Sequence, residues 1–131
     1  MPKGLVVQKY GGSSVANVLR IKKVAQRVVS YRKKGYSLVV VVSALGDTTD
    51  ELIELADKIN PNPSEREMDM LLSTGEQISA ALLAMAIQKL GSEAISFTGS
   101  QVGIITDTSH THARIIKISA DKIKEELKKG K

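Results

Sequence analysis

Apolar residues recur along this chain with two different periods, and the switches between them mark out its elements. Leu5 to Gln8 opens on an apolar run and reads as a short strand. From Val15 the apolar positions Val18, Ile21, Ala25 and Val28 follow helical spacing, with Gly35 as the stop. Leu38 to Val42 is an unbroken apolar run, the pattern of a strand covered on both faces. Ser43-Ala44-Leu45-Gly46-Asp47 reads as a loop. Thr48 and Glu51 then have the spacing of a capping box ahead of Leu52, Leu55, Ala56 and Ile59. Asn60-Pro61-Asn62-Pro63 breaks that helix. Ser64 and Glu67 repeat the capping-box spacing and open another helical stretch. Gly75 is expected to interrupt it, after which Ile78, Leu82, Met85 and Ala86 carry an apolar stripe to Gly91.

Glu93 to Phe97 is a third strand candidate. Thr98 to His112 is polar and glycine-punctuated around the apolar piece Val102 to Ile105. Arg114 to Ile118 is predicted as a further strand. Ser119 is expected to cap a last helix that carries Ile123 and Leu127 and ends at Gly130. This alternation predicts an α/β domain with a largely parallel sheet sandwiched by helices.

Composition narrows the chemistry. Aromatic residues make up 3% of the chain, so the core must come from Val, Ile, Leu, Ala and Met. The absence of cysteine excludes disulfides and thiolate metal sites. No apolar run is read as long enough to span a bilayer, and MPKGLVVQ lacks a signal-peptide pattern. The expectation is a cytoplasmic protein with no membrane partner. The net charge of +5 is spread along helices, clustering only at Arg32-Lys33-Lys34 and Lys128-Lys129. No aromatic residues interleave with those clusters, so no nucleic-acid partner is expected. His110 and His112 have no further His or Cys to complete a metal site, and read as solvated loop residues.

In open α/β sheets, ligands bind beyond the carboxyl ends of the strands. Lys9, Gly11 and Gly12 stand at such an end and lead into a helix. Glycines let backbone N–H groups approach an anion, the helix start adds a favourable dipole, and a lysine supplies a point charge for a phosphoryl group. A tight structural turn with a surface lysine beside it fits the same residues. Ser43 to Thr49 lies at the end of the next strand, where its hydroxyls suit a carboxylate or phosphate; simple helix capping explains one threonine of it. Glu76 follows Gly75 in an apolar helical region. It suits either a substrate amine or the helix dipole.

Four segments, VVQKYGGSSV, VVVVSALGDTTDEL, EREMDMLLSTGEQISAALLAMAI and SFTGSQVGIITD, resemble in order and separation the aspartate kinase family of the amino-acid kinase superfamily. The resemblance runs through essentially the whole chain. It implies phosphorylation of the side-chain carboxylate of L-aspartate by ATP with Mg²⁺, giving 4-phospho-L-aspartate, the step that opens lysine, threonine and methionine biosynthesis. On this resemblance Lys9 matches the lysine that stabilises the transferring phosphoryl group. Tyr10, Gly11 and Gly12 fall on the turn that meets the ATP phosphates. Ser43, Thr49 and Glu76 match positions that hold aspartate, with Glu76 the partner of its ammonium group. The resemblance also implies that residues 1–131 are the N-terminal, aspartate-binding portion of the kinase domain. The remainder of the ATP site and the regulatory ACT domains are not represented, so these residues are expected to be inactive alone and to form a homo-oligomer or join a partner subunit. Two alternatives remain. One is another amino-acid kinase, such as a glutamate or acetylglutamate kinase; the other is a non-catalytic piece that folds or assembles with a partner chain.

Overall fold

The computed structural model describes residues 3–131. Strand β1 (Gly4–Tyr10) leads through a 3-10 turn (Gly12–Val15) into helix α1 (Val18–Lys33), and strand β2 (Tyr36–Val42) follows. The Asn17 side chain accepts the Arg20 N–H at 3.0 Å and caps α1 at its start. Gly35, at φ +99°, turns the chain back beyond its end. Helices α2 (Thr48–Ile59) and α3 (Glu65–Lys89) come next, then the short strands β3 (Ile104–Thr106) and β4 (Ile115–Ile118), and helix α4 (Asp121–Lys128).

β1 and β2 pair in parallel, from Gly4 opposite Tyr36 to Tyr10 opposite Val42. Strand alternation sorts their side chains into two faces. Tyr10, Leu38, Val40 and Val42 pack against α1 and α3, on a core of Val15, Ile21, Val24, Ala25, Val28, Val29, Leu83 and Ile87. The opposite face carries Leu5, Val7, Lys9 and Val41, and all four are exposed. The apolar run of β2 is therefore covered on one face among the described residues, not on both as its composition predicts.

The α/β class holds, with a parallel sheet flanked by helices. β3 and β4 form a separate antiparallel hairpin with an irregularity between Ile105 and Thr106. Four local expectations change. Glu93 to Phe97 forms no strand and enters no ladder. Gly75 does not interrupt its helix, because α3 runs unbroken through it. Thr48 is the first residue of α2 behind Asp47, whose side chain makes no capping bond. Ala120, not Ser119, stands at the start of α4, and the Ser119 hydroxyl turns to the Asp121 carboxylate instead. The Ser64 cap does form, accepting the Glu67 N–H at 3.3 Å, while the Glu67 carboxylate takes Arg66 rather than closing the box.

By length and composition α3 is apolar enough to cross a bilayer, which the expected break at Gly75 hid. Its stripe of Gly75, Ser79, Leu83 and Ile87 is buried. That stripe faces the loop after β2 and the core beneath it, so the helix serves as a wall of the domain.

Candidate active site

Because β1 and β2 are parallel and end level with each other, the loops that leave them emerge side by side. Ser43 N donates to Tyr10 O at 3.1 Å, and Gly46 N donates to Gly12 O at 3.1 Å. The two loops are thus laced together directly beyond the strands. Gly12 sits where a side chain would crowd the other loop: a Cβ there would lie 3.3 Å from Ala44 O and 3.4 Å from Gly46 O. Around Gly11 the opposite holds. Nothing lies within 4 Å of where its Cβ would be, so its backbone faces open space at the mouth of the crevice. The turn is fastened from α1 by Arg20, whose Nη1 donates to Ser13 O at 2.8 Å.

Lys9 and Tyr10, adjacent in sequence, point to opposite faces. Lys9 stands beside Val41 on the open face of the sheet, exposed, one residue before the end of β1. Tyr10 packs against the core, and its hydroxyl donates to Gln8 Oε1 at 2.8 Å. Burial pushes the phenol above its ordinary value, opposed by the neighbouring Arg27 cation and assisted by Tyr31. What Tyr10 gives the crevice is its carbonyl, bonded to Ser43.

Ser43 is also tied to α3. The hydroxyl of Ser79 donates to Ser43 O and lies 3.0 Å from Glu76 O as well. Ser79 is wholly buried. One turn earlier, Gly75 meets Ala44 so closely that an added Cβ would stand 3.0 Å from the Ala44 methyl. The same position would lie 3.7 Å from Thr48 Cγ2, so the start of α2 belongs to the cluster. Thr49 follows as the second residue of α2 and is half-buried. Glu76, next to Gly75, is exposed and lines a cleft of about 520 Å³ with Ser73 and Gln77. The outer edge of β2, the segment from Glu93 to Ile104 and helix α4, through Ile123 and Leu127, form the other walls.

The structure therefore brings Gly11, Gly12, Ser43 and Thr49 to one end of the sheet and hangs the Glu76 segment beside them through Ser79. Among the described residues no side-chain contact joins Lys9 to Glu76. No cluster of three or more His, Asp or Glu that fits a metal ion occurs among the described residues, so they offer Mg²⁺ no cage of their own. Ser79 and Ala44 carry no mark in the sequence pattern, and neither does the packing role of Gly75. The available signal is a pair of small residues, Gly75 and Ser79, one helical turn apart in a helix of large apolar ones. His110 is an exposed loop residue, as expected, but it has a partner that the sequence does not announce. Its Nδ1 lies 3.0 Å from Asp69 Oδ2, a partner 41 positions away.

The sequence profile described as the amino acid kinase family matches residues 4–131. The aspartokinase of Corynebacterium glutamicum is 58% identical over 127 residues, covering 97% of this chain and 30% of that protein. A solved aspartate kinase structure from Synechocystis superposes with a TM-score of 0.82 at 52% identity, over 96% of this chain and 20% of that one. The Escherichia coli aspartokinase III structure, solved with aspartate and ADP, gives a TM-score of 0.80 at 21% identity, over 96% of this chain and 39% of that one. At that identity the second likeness speaks for the fold alone. The chain spans about 30% of the length of the curated relatives it matches. With the laced loops at the strand ends and a profile match from residue 4 to residue 131, the chain belongs to the amino acid kinase family.

Proposed function

We propose that residues 1–131 form the acceptor-side portion of an aspartate kinase, which transfers the terminal phosphoryl group of ATP to the side-chain carboxylate of L-aspartate. One observation carries the reading. The glycine turn after β1 and the Ser43 loop after β2 converge beside the Glu76 segment of α3, in a chain 58% identical to an aspartokinase.

In this reading Gly11 and Gly12 admit the phosphates against bare backbone, and Lys9 supplies the cation that offsets charge on the transferring group. Ser43 and Thr49 orient the aspartate carboxylates, and Glu76 pairs with its ammonium group. An oxygen of the side-chain carboxylate attacks the γ-phosphorus. The bond from phosphorus to the bridging oxygen breaks, and ADP leaves with that oxygen. Catalysis of this kind is mostly positioning and charge stabilisation. Mg²⁺ accompanies the nucleotide in this proposal, and assembly into a homo-oligomer or with a partner subunit in the cytoplasm belongs to it as well.

The test grafts these 131 residues in place of the matching segment of the Corynebacterium glutamicum aspartokinase. The graft is expected to phosphorylate L-aspartate, and Lys9→Ala within it to lower kcat by about two to four orders of magnitude. A graft that prefers glutamate, or a Lys9→Ala variant with near-normal turnover, refutes the assignment.

A further inference from the structure

The hairpin of β3 and β4 starts at the cleft and ends on α3. Val102 and Ile104 line the cleft wall across from Ser73 and Glu76. The loop at the hairpin's far end, residues 107–114, reaches back to the second turn of α3. There the Asp69 carboxylate takes three contacts. The Thr111 N–H lies 3.2 Å from Oδ1 and 3.1 Å from Oδ2, and His110 Nδ1 lies 3.0 Å from Oδ2. The loop is also braced internally, with Asp107 N donating to Arg114 O and Ser109 N to the Asp107 carboxylate, both at 3.0 Å. Thr111 is held at φ +62°, a left-handed conformation that β-branched residues rarely take. It is the only non-glycine residue with positive φ among those described.

Position on the helix gives this contact its meaning. Seven residues separate Asp69 from Glu76, close to two full turns, so both lie on nearly the same side of α3, about 10 Å apart along its axis. Ser73 lies between them and also borders the cleft. The hairpin therefore begins at the cleft that Glu76 lines and is fastened at its tip to the same helix, two turns away.

We infer that the β3–β4 hairpin is a strap across the Glu76 end of the cleft and that Asp69 pins it. Asp69 is thus a positioning residue that sets affinity for the acceptor amino acid without touching it. This rests on the reading of Glu76 as the partner of the acceptor's ammonium group. With the pin released, the strap keeps its strand pairing but loses its fixed height above Glu76, so the ligand must order it on binding.

The test uses the grafted aspartokinase, with L-aspartate binding followed by calorimetry, hydrogen exchange around Thr111 without ligand by mass spectrometry, and thermal unfolding. Asp69→Ala is expected to speed Thr111 exchange and to raise the Kd for L-aspartate about tenfold, with Tm unchanged. Asp69→Asn, whose amide oxygen still accepts from Thr111, should recover part of both effects. Glu65→Gln, an exposed carboxylate in the first turn of α3, should alter neither. Faster Thr111 exchange with an unchanged Kd overturns the strap. So does a Kd that rises only in step with a falling Tm in both Asp69 variants, which marks a merely structural residue. If the unmutated graft binds no L-aspartate, or Glu76→Gln binds it as well as that graft does, the reading of Glu76 falls and the inference falls with it. The ligand-free exchange data show which of the two failed.

Discussion

Replacing Gly75 with alanine tests the contact that sets α3 against the strand ends. The new methyl would stand 3.0 Å from the Ala44 Cβ, against an optimum of about 3.5–4.0 Å for two carbons. Its other neighbours, Thr48 Cγ2 at 3.7 Å and Leu52 Cδ1 at 3.9 Å, lie at ordinary contact distance and oppose nothing. Relief requires α3 and the Ala44 loop to part by about half an ångström or more. The loop resists, because Ser43 is bonded to Tyr10 and Ser79, and Gly46 to Gly12. Overpacking of this kind costs about 2 kcal/mol, and the better helix propensity of alanine returns about 1 kcal/mol. The net loss is about 1 kcal/mol, roughly a fivefold shift toward the unfolded state. Urea unfolding followed by the helical circular-dichroism signal should show a midpoint about 0.5 M lower with an unchanged slope. Adding Ala44→Gly removes the opposing methyl, so the double variant should recover part of the loss. A Gly75→Ala chain as stable as the parent, or more so, would mean that α3 slides freely over the loop, and the argument for a tightly set crevice would be wrong.

Glu76→Gln in the grafted enzyme should raise KM for aspartate more than KM for ATP; the reverse pattern would put the residue in the wrong pocket. The 131 residues by themselves are expected to show no ATP-dependent aspartate phosphorylation. They should also self-associate by light scattering through the exposed β1–β2 face, and sustained Mg²⁺-dependent turnover would refute the proposal that they form only part of the site. Glu126 is held below the ordinary glutamate value, first by the Lys131 ammonium at 2.6 Å and then by Lys129. Its folded-state pKa is depressed, so the stability it adds is complete above the unfolded-state value and is lost as pH falls through the lower folded one. A carboxyl NMR titration should place its midpoint below the ordinary glutamate value and shift it upward in Lys131→Ala; an unmoved midpoint would remove Lys131 as the cause.

What the sequence makes legible follows periodicity and cap chemistry closely. The β1–α1–β2 unit is readable because Val18, Ile21, Ala25 and Val28 recur at helical spacing and Gly35 marks the turn. Ser64 is readable because capping is a local bond. Gly75 misleads because propensity is also local: a glycine weakens a helix by itself, but here a methyl from another loop occupies the space that any side chain would need. Glu93 to Phe97 has strand composition, yet a strand exists only where a neighbour accepts its ladder, and none does among the described residues. At the site, the glycine turn is visible as a turn. That Lys9 and Tyr10 diverge follows from strand alternation, whereas Ser79 bridging Ser43 to the Glu76 segment depends on how α3 docks and has no local signature.

The parallel pairing of β1 with β2 also orders events in time. Every partner of β1 lies beyond the whole of α1, so no rung of that ladder can form while the intervening chain is loose. The hairpin of β3 and β4 closes over a short loop and needs no such help. Collapse of α1 through Ile21, Val24 and Val28 is expected to bring β1 and β2 into register, every rung of which spans the same length of chain. Loop-closure entropy thus makes the strand register a late and slow event, following a helix that forms quickly. The glycine turn and the Ser43 loop meet only once this ladder has formed, so the crevice is expected to be assembled after α1 rather than with it.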